Sequence, residues 1–269
     1  MELTEQVEWE GRTIACGRSG TGPDVVFCHG TPWSSQVWSP YADALSDAFT
    51  VHMWDMPGYG RSSMDPGHRT DFASQAKAFA AVLDHWRLER PHVIAHDIGG
   101  AVSLRATLFE KCRYASLMLV DAVAIPPSGS PFFRFVQEHP GTLDELPPYV
   151  HEAILRAYIQ GATHRGLREE DLAMLMAPWT TEIGRRAFYR QIAEYDEAYL
   201  AENEQHLKAL SIPVHVVWGA DDAWIPVETG RRLSELITGA RYVEVPGAGH
   251  LIQYDAPVGL SNIIRGTLS

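Results

Sequence analysis

Pro91-His92-Val93-Ile94-Ala95-His96-Asp97-Ile98-Gly99-Gly100 joins an apolar run to an alanine-rich helical pattern that reaches about Phe109. The run reads as a buried strand, so the chain passes from strand to helix across one residue, Asp97. Two readings of Asp97 follow. Aspartate is a favoured helix N-cap, which would make the turn purely structural. The same strand–turn–helix pattern also forms the nucleophile elbow G-x-S-x-G, whose strained turn exposes one side chain. Here Ala95 and Asp97 stand where that motif has its first glycine and its serine.

Working outward, apolar runs at Asp24–Gly30, Phe49–Asp55 and Ala115–Asp121 read as further strands. Strands this apolar are buried on both faces, as in a parallel sheet covered by helices. After Asp121 the rhythm changes. From about Ile125 to Leu210 there is no strand pattern; Pro126-Pro127-Ser128-Gly129-Ser130-Pro131 breaks the chain, and helical patterns follow around 149–160, 169–176 and 182–200. Strands resume at Val214–Gly219 and Arg241–Pro246. The expected organisation is an α/β core of residues 1–125 and 206–269, with a helical cap over 126–205.

Two more segments bear on Asp97. Trp218-Gly219-Ala220-Asp221-Asp222 places carboxylates just past a strand, and Gly247-Ala248-Gly249-His250 places a histidine just past the last one. Acidic loop residues are usually solvated, and a lone histidine is more often structural. Together, however, they give the chain order nucleophile, acid, base, all at the carboxyl ends of strands, where open α/β sheets build their sites. His29-Gly30-Thr31-Pro32-Trp33 follows the first long apolar strand. In such an arrangement, backbone N–H groups of Thr31 and of Ile98 would form an oxyanion hole.

With these segments in view, the sequence resembles the α/β-hydrolase superfamily along nearly its whole length. More narrowly, it is similar to the epoxide hydrolase and haloalkane dehalogenase branch. The carrying residues are His29-Gly30-Thr31-Pro32, Asp55-Met56-Pro57-Gly58-Tyr59-Gly60, His96-Asp97-Ile98-Gly99-Gly100, Gly219-Ala220-Asp221-Asp222 and Gly247-Ala248-Gly249-His250. The resemblance implies an α/β-hydrolase fold, a mostly parallel sheet with helices on both faces and an inserted helical cap. It implies Asp97 as nucleophile, His250 as base and, by the family's G-x-x-D spacing, Asp222 rather than Asp221 as the acid. Phe188-Tyr189-Arg190 resembles the family's cap motif around a ring-opening tyrosine, so Tyr189 is the expected proton donor.

An aspartate at the elbow has chemical meaning. A carboxylate with a pKa near about 4 is already ionised at neutral pH and can attack a saturated carbon directly. His250 would then activate water against the resulting ester. The expected activity is hydrolysis of epoxides to vicinal diols. A haloalkane-type dehalogenase, or an esterase or lactonase using the same site, is the alternative. The chain departs from both branch patterns. Its early cap segment has Phe132 and Phe133, leaving Tyr149, Tyr158 or His139 as candidates for a second donor. The usual halide donors are replaced by Ile98 and Thr31, although Trp33, Trp179 and Trp224 are present.

Composition narrows the partners. Among 269 residues, 22 are Lys or Arg and 34 are Asp or Glu, a net charge of −12 that repels phosphate backbones. No nucleic-acid partner is expected. No run of about 18 apolar residues suggests a membrane span, and Met1–Arg12 lacks the apolar region of a secretory signal. Three scattered cysteines (Cys16, Cys28, Cys112) form no metal-ligand spacing. The expectation is a reduced, cytoplasmic protein with no metal and no organic cofactor. Its partners would be water and a small apolar organic substrate, and the chain is compatible with a homodimer.

Overall fold

The apolar runs occupy the middle of one eight-stranded sheet. In the computed structural model, which describes residues 1–268, the strands are β1 (Glu5–Trp9), β2 (Arg12–Ser19), β3 (Asp24–Cys28), β4 (Thr50–Trp54), β5 (His92–His96), β6 (Ser116–Val120), β7 (Val214–Gly219) and β8 (Arg241–Val245). Their order is β1-β2-β4-β3-β5-β6-β7-β8. From β4 to β8 all neighbours are parallel, while β1 and β2 pair antiparallel at one edge. This is the expected α/β fold class.

The antiparallel edge is the part the apolar runs did not announce. β1 buries only Val7, so it lacks a long hydrophobic stretch. Its pairing with β2 is set by a two-residue turn, Glu10-Gly11, with both residues at positive φ (48° and 74°). Such turns match the right-handed twist of the flanking strands.

Helices α1 (Ser39–Leu45), α2 (Phe72–His85) and α3 (Ile98–Phe109) connect the first parallel strands, and α2 packs along α3. Between β6 and β7 come only helices: α4 (Pro131–Glu138), α5 (Pro148–Gln160), α6 (Glu169–Met176), α7 (Glu182–Ala193) and α8 (Ala198–His206), with short 3-10 turns. The last two correct the expected single helix over 182–200. The chain breaks after Ala193, and the Asp196 carboxylate accepts the Ala198 N–H at 2.9 Å to start α8. Helices α9 (Val227–Leu236), α10 (Ile252–Asp255) and α11 (Pro257–Leu268) complete the chain. Among the described residues, no helix is long and apolar enough to cross a membrane.

Strand order determines where a site can form. β3 has β4 on one side and β5 on the other, so the loops leaving β3 and β5 diverge. Open α/β sheets bind ligands in the crevice outside such a point. Residues 29–33 and Asp97 lie there.

Candidate active site

Asp97 leaves β5 with φ 53° and ψ −126°, and its side chain makes no helix-capping hydrogen bond. The N-cap reading therefore fails, and the carboxylate is free for other contacts. A non-glycine residue held in this region stores strain, tolerated where the surroundings over-determine it. The surroundings here are glycines. A Cβ on Gly99 would lie 2.5 Å from the His29 carbonyl oxygen, and one on Gly30 would overlap the Asp97 side chain.

The two carboxylate oxygens of Asp97 have different partners. Oδ1 accepts the Thr31 N–H at 2.6 Å. Oδ2 lies 3.3 Å from His250 Nε2. Ile98 begins α3, whose first N–H groups have no acceptor within the helix. Thr31 is held in place by its neighbours. His29 Nε2 accepts the Met56 N–H, and its Nδ1 lies 2.9 Å from the Gly30 carbonyl, which fixes the ring tautomer. From the helical layer, Trp179 Nε1–H donates to the Pro32 carbonyl at 2.7 Å.

His250 is fully buried, and its Nδ1 lies 2.9 Å from Asp222 Oδ2. The other Asp222 oxygen accepts the N–H groups of Trp224 (2.7 Å) and Ile225 (2.9 Å). Asp221 instead faces outward and accepts the Gly247 N–H. Burial opposes a charged imidazole, but the carboxylates of Asp222 and Asp97 outweigh it and hold the His250 pKa well above its usual value. Trp224 stacks on the imidazole with ring centres 5.0 Å apart. Neighbouring His96 has the opposite balance. Burial, followed by the charge on His250, pulls its pKa down to about 3, so it is neutral, and its Nε2 meets the His250 carbonyl at 2.9 Å.

Asp121, at the end of β6, was not singled out from sequence. It is fully buried, and its Oδ1 accepts the Gly219 N–H at 2.8 Å. Burial and the nearby charge of Asp222 push its carboxyl well above the usual range, which favours the neutral acid.

Above Asp97 lies a small cavity, lined by Thr31, Ile98, Phe133, Tyr158, Tyr195 and Trp224 among others. Tyr189 is not brought to it. Its hydroxyl is 2.9 Å from His151 Nδ1, whose Nε2 in turn faces the Trp179 carbonyl at 3.0 Å. Tyr189 braces α7 against α5, and burial pushes its phenol up to about 12. The expectation for Tyr189 is corrected on this ground. Of the alternatives, Tyr149 is 74% exposed, and His139 is stacked on Phe135 at the surface. Tyr158 lines the cavity, as does Tyr195 from the break between α7 and α8. Burial, followed by the charge of Asp97, raises the Tyr158 phenol well above its usual range.

Among the described residues, one group has metal-ligand chemistry: Glu5, Cys16 and His85, with ligand atoms within 4.8 Å of one another. Glu5 and Cys16 lie on the antiparallel edge and His85 ends α2, and the group shares no residue with the cavity above Asp97. Glu5 already accepts from Trp86 Nε1 (3.3 Å) and lies 3.6 Å from Arg18.

The alpha/beta hydrolase fold family matches residues 23–257. A solved alpha/beta hydrolase fold protein from Burkholderia ambifaria superposes with a TM-score of 0.95 at 42% identity, covering 98% of this chain and 97% of that one. Among curated relatives, haloalkane dehalogenase 2 of Mycobacterium tuberculosis is 27% identical over 249 residues, 88% of this chain and 85% of the relative. A putative carbamate hydrolase RutD of Variovorax paradoxus is 28% identical over 236 residues, 85% of each. This chain is a hydrolase and belongs to the alpha/beta hydrolase fold family.

Proposed function

We propose that the chain hydrolyses epoxides to vicinal diols through an ester on Asp97. One observation carries the reading: a carboxylate at the elbow and two phenols, Tyr158 and Tyr195, line the same cavity. A carboxylate nucleophile suits an electrophilic carbon, and a phenol is a fitting acid for the alkoxide that leaves it.

The partners of Asp97 divide the work. Oδ2 attacks the epoxide carbon as its carbon–oxygen bond breaks. The released alkoxide takes a proton from Tyr158 or Tyr195. Oδ1 is then the ester carbonyl oxygen, already facing the Thr31 N–H. His250 Nε2 removes a proton from water as the water oxygen adds to Cγ of Asp97. Thr31 and Ile98 N–H groups stabilise the charge that develops on Oδ1. Collapse expels Oδ2 with the diol, which takes the proton from His250. The restored carboxyl group returns its proton to the phenolate.

Alkylation also changes His250. It neutralises Asp97 and so removes one of the charges that keep the imidazole protonated. With the ester formed, the imidazole releases its proton to solvent and is then competent as the base.

Intact-protein mass spectrometry on His250→Gln tests the reading. The expected result is a gain equal to the whole epoxide, absent in the double variant with Asp97→Asn. Epoxide turnover by Asp97→Asn at the wild-type rate would overturn it. A second reading, halide displacement by the same Asp97 attack, is supported by the likeness to haloalkane dehalogenase 2. It predicts an adduct that lacks the halogen. Against it, Trp179 already donates its indole N–H to Pro32 and is not free for a halide.

A further inference from the structure

Beside the cavity above Asp97 lies a second, narrow one with room for about one small polar group, lined by Thr31, Tyr59, Asp71, Phe72, Gln191 and Tyr195 among others. Thr31, Ile98, Phe133 and Tyr195 belong to both linings, so the two spaces share a wall. Gln191 comes from α7 and is only 5% exposed. Its Oε1 accepts two hydroxyl groups, Thr31 Oγ1–H at 2.9 Å and Tyr59 O–H at 2.7 Å. Its Nε2 is buried with no hydrogen-bond partner. A buried amide that leaves its donors unused is costly, and native proteins rarely keep one without a use.

The surroundings define what could use it. Thr31 links Gln191 to the reacting carboxylate, because its hydroxyl donates to Gln191 while its N–H donates to Asp97 Oδ1. Asp97 and Asp71 are the charged residues of the two linings, and among the described residues neither lining includes Lys or Arg. An anionic group is therefore disfavoured there. A neutral acceptor oxygen suits an amide donor in linings that carry only negative charge.

We propose that Gln191 Nε2 forms a polar subsite that receives a neutral acceptor oxygen of the substrate, such as an ether or carbonyl, while Asp97 attacks the electrophilic carbon. The preferred substrate is then an oxygen-substituted epoxide rather than a plain alkyl one. This rests on the reading of Asp97 as nucleophile and adds a specificity-determining residue to it.

The test compares isosteric epoxides in a His250→Gln background, with the rate of Asp97 ester formation read by mass. One is 1,2-epoxyoctane. The others replace successive chain methylenes by oxygen, beginning with butyl glycidyl ether. The expected result is about a tenfold preference for at least one oxygen-bearing member, the scale of one hydrogen bond. Adding Gln191→Leu should bring that ratio to about one. Gln191→Glu keeps an oxygen for the Thr31 and Tyr59 hydroxyls but removes the amide donor, and should also abolish the preference. Because each ratio is taken within one variant, a general loss of activity cancels. An equal preference with and without Gln191 would overturn the subsite alone. No Asp97 adduct from any member would overturn the nucleophile reading, and the subsite with it.

Discussion

The strand ends and the helical layer over them were specified in different ways. At the strand ends, Asp97, Asp222 and His250 each follow a β-strand by one to a few residues, and the sheet alone brings them together. In the helical layer, Tyr189 and Tyr195 lie six residues apart. One braces two helices, and the other lines the cavity. A residue just past a parallel strand has its position fixed by register. A residue on a helix has its direction fixed by rotation about the helix axis and by where the helix stops. The first is a matter of counting, and the second depends on packing.

This contrast can be broken or sharpened by substitution. The largest effect should come from the strand ends. Asp97→Asn should lower epoxide turnover by about 10⁴-fold or more, the scale of losing a nucleophile; steady-state kinetics would check this. Asp222→Asn should follow, at about 10³–10⁴-fold, because His250 loses both its orienting partner and the support for its charged form. Asp221→Asn should cost far less, since its carboxylate holds the Gly247 N–H and lies 4.0 Å from His164, away from His250. Equal losses at 221 and 222 would break the register argument.

In the helical layer the expected order reverses that of the sequence. Tyr158→Phe should slow ester formation by about 10²-fold with epoxides, in the range of general acid catalysis. Tyr189→Phe should change it by less than about threefold, while costing about 1 kcal/mol of stability through the lost bond to His151. Rapid-quench measurement and denaturant unfolding separate the two. The smallest effect concerns pH. Resting His250 is held in its charged form by two carboxylates, and the ester removes one of them. Ester hydrolysis should therefore remain active at pH values where the imidazole of the resting enzyme, followed by NMR, is still protonated.

How much could be read in advance follows the same division. The central parallel strands were visible because strands buried on both faces must be apolar throughout. β1 and β2 were not, since an edge hairpin buries few side chains and depends on the Glu10-Gly11 turn. Asp97, Asp222, His250, Thr31 and Ile98 were named from their places relative to strands, and the structure gathers them. Tyr195 left no signal, because it depends on a break between α7 and α8 where the Asp196 carboxylate takes the Ala198 N–H. Asp121 was seen only as a strand end. Its burial beside Asp222 comes from the pairing of β6 with β7, which five intervening helices hide in the linear sequence.

The division of labour between the two oxygens of Asp97 has an isotopic consequence. Under the proposed course, the oxygen given to the product is Oδ2 of the protein, and its replacement comes from solvent. A single turnover in ¹⁸O-labelled water should place the heavy atom in the peptide containing Asp97 and leave the first diol unlabelled. The carboxylate would then be a reactant renewed one atom at a time, and its isotopic composition would record whether the protein has turned over.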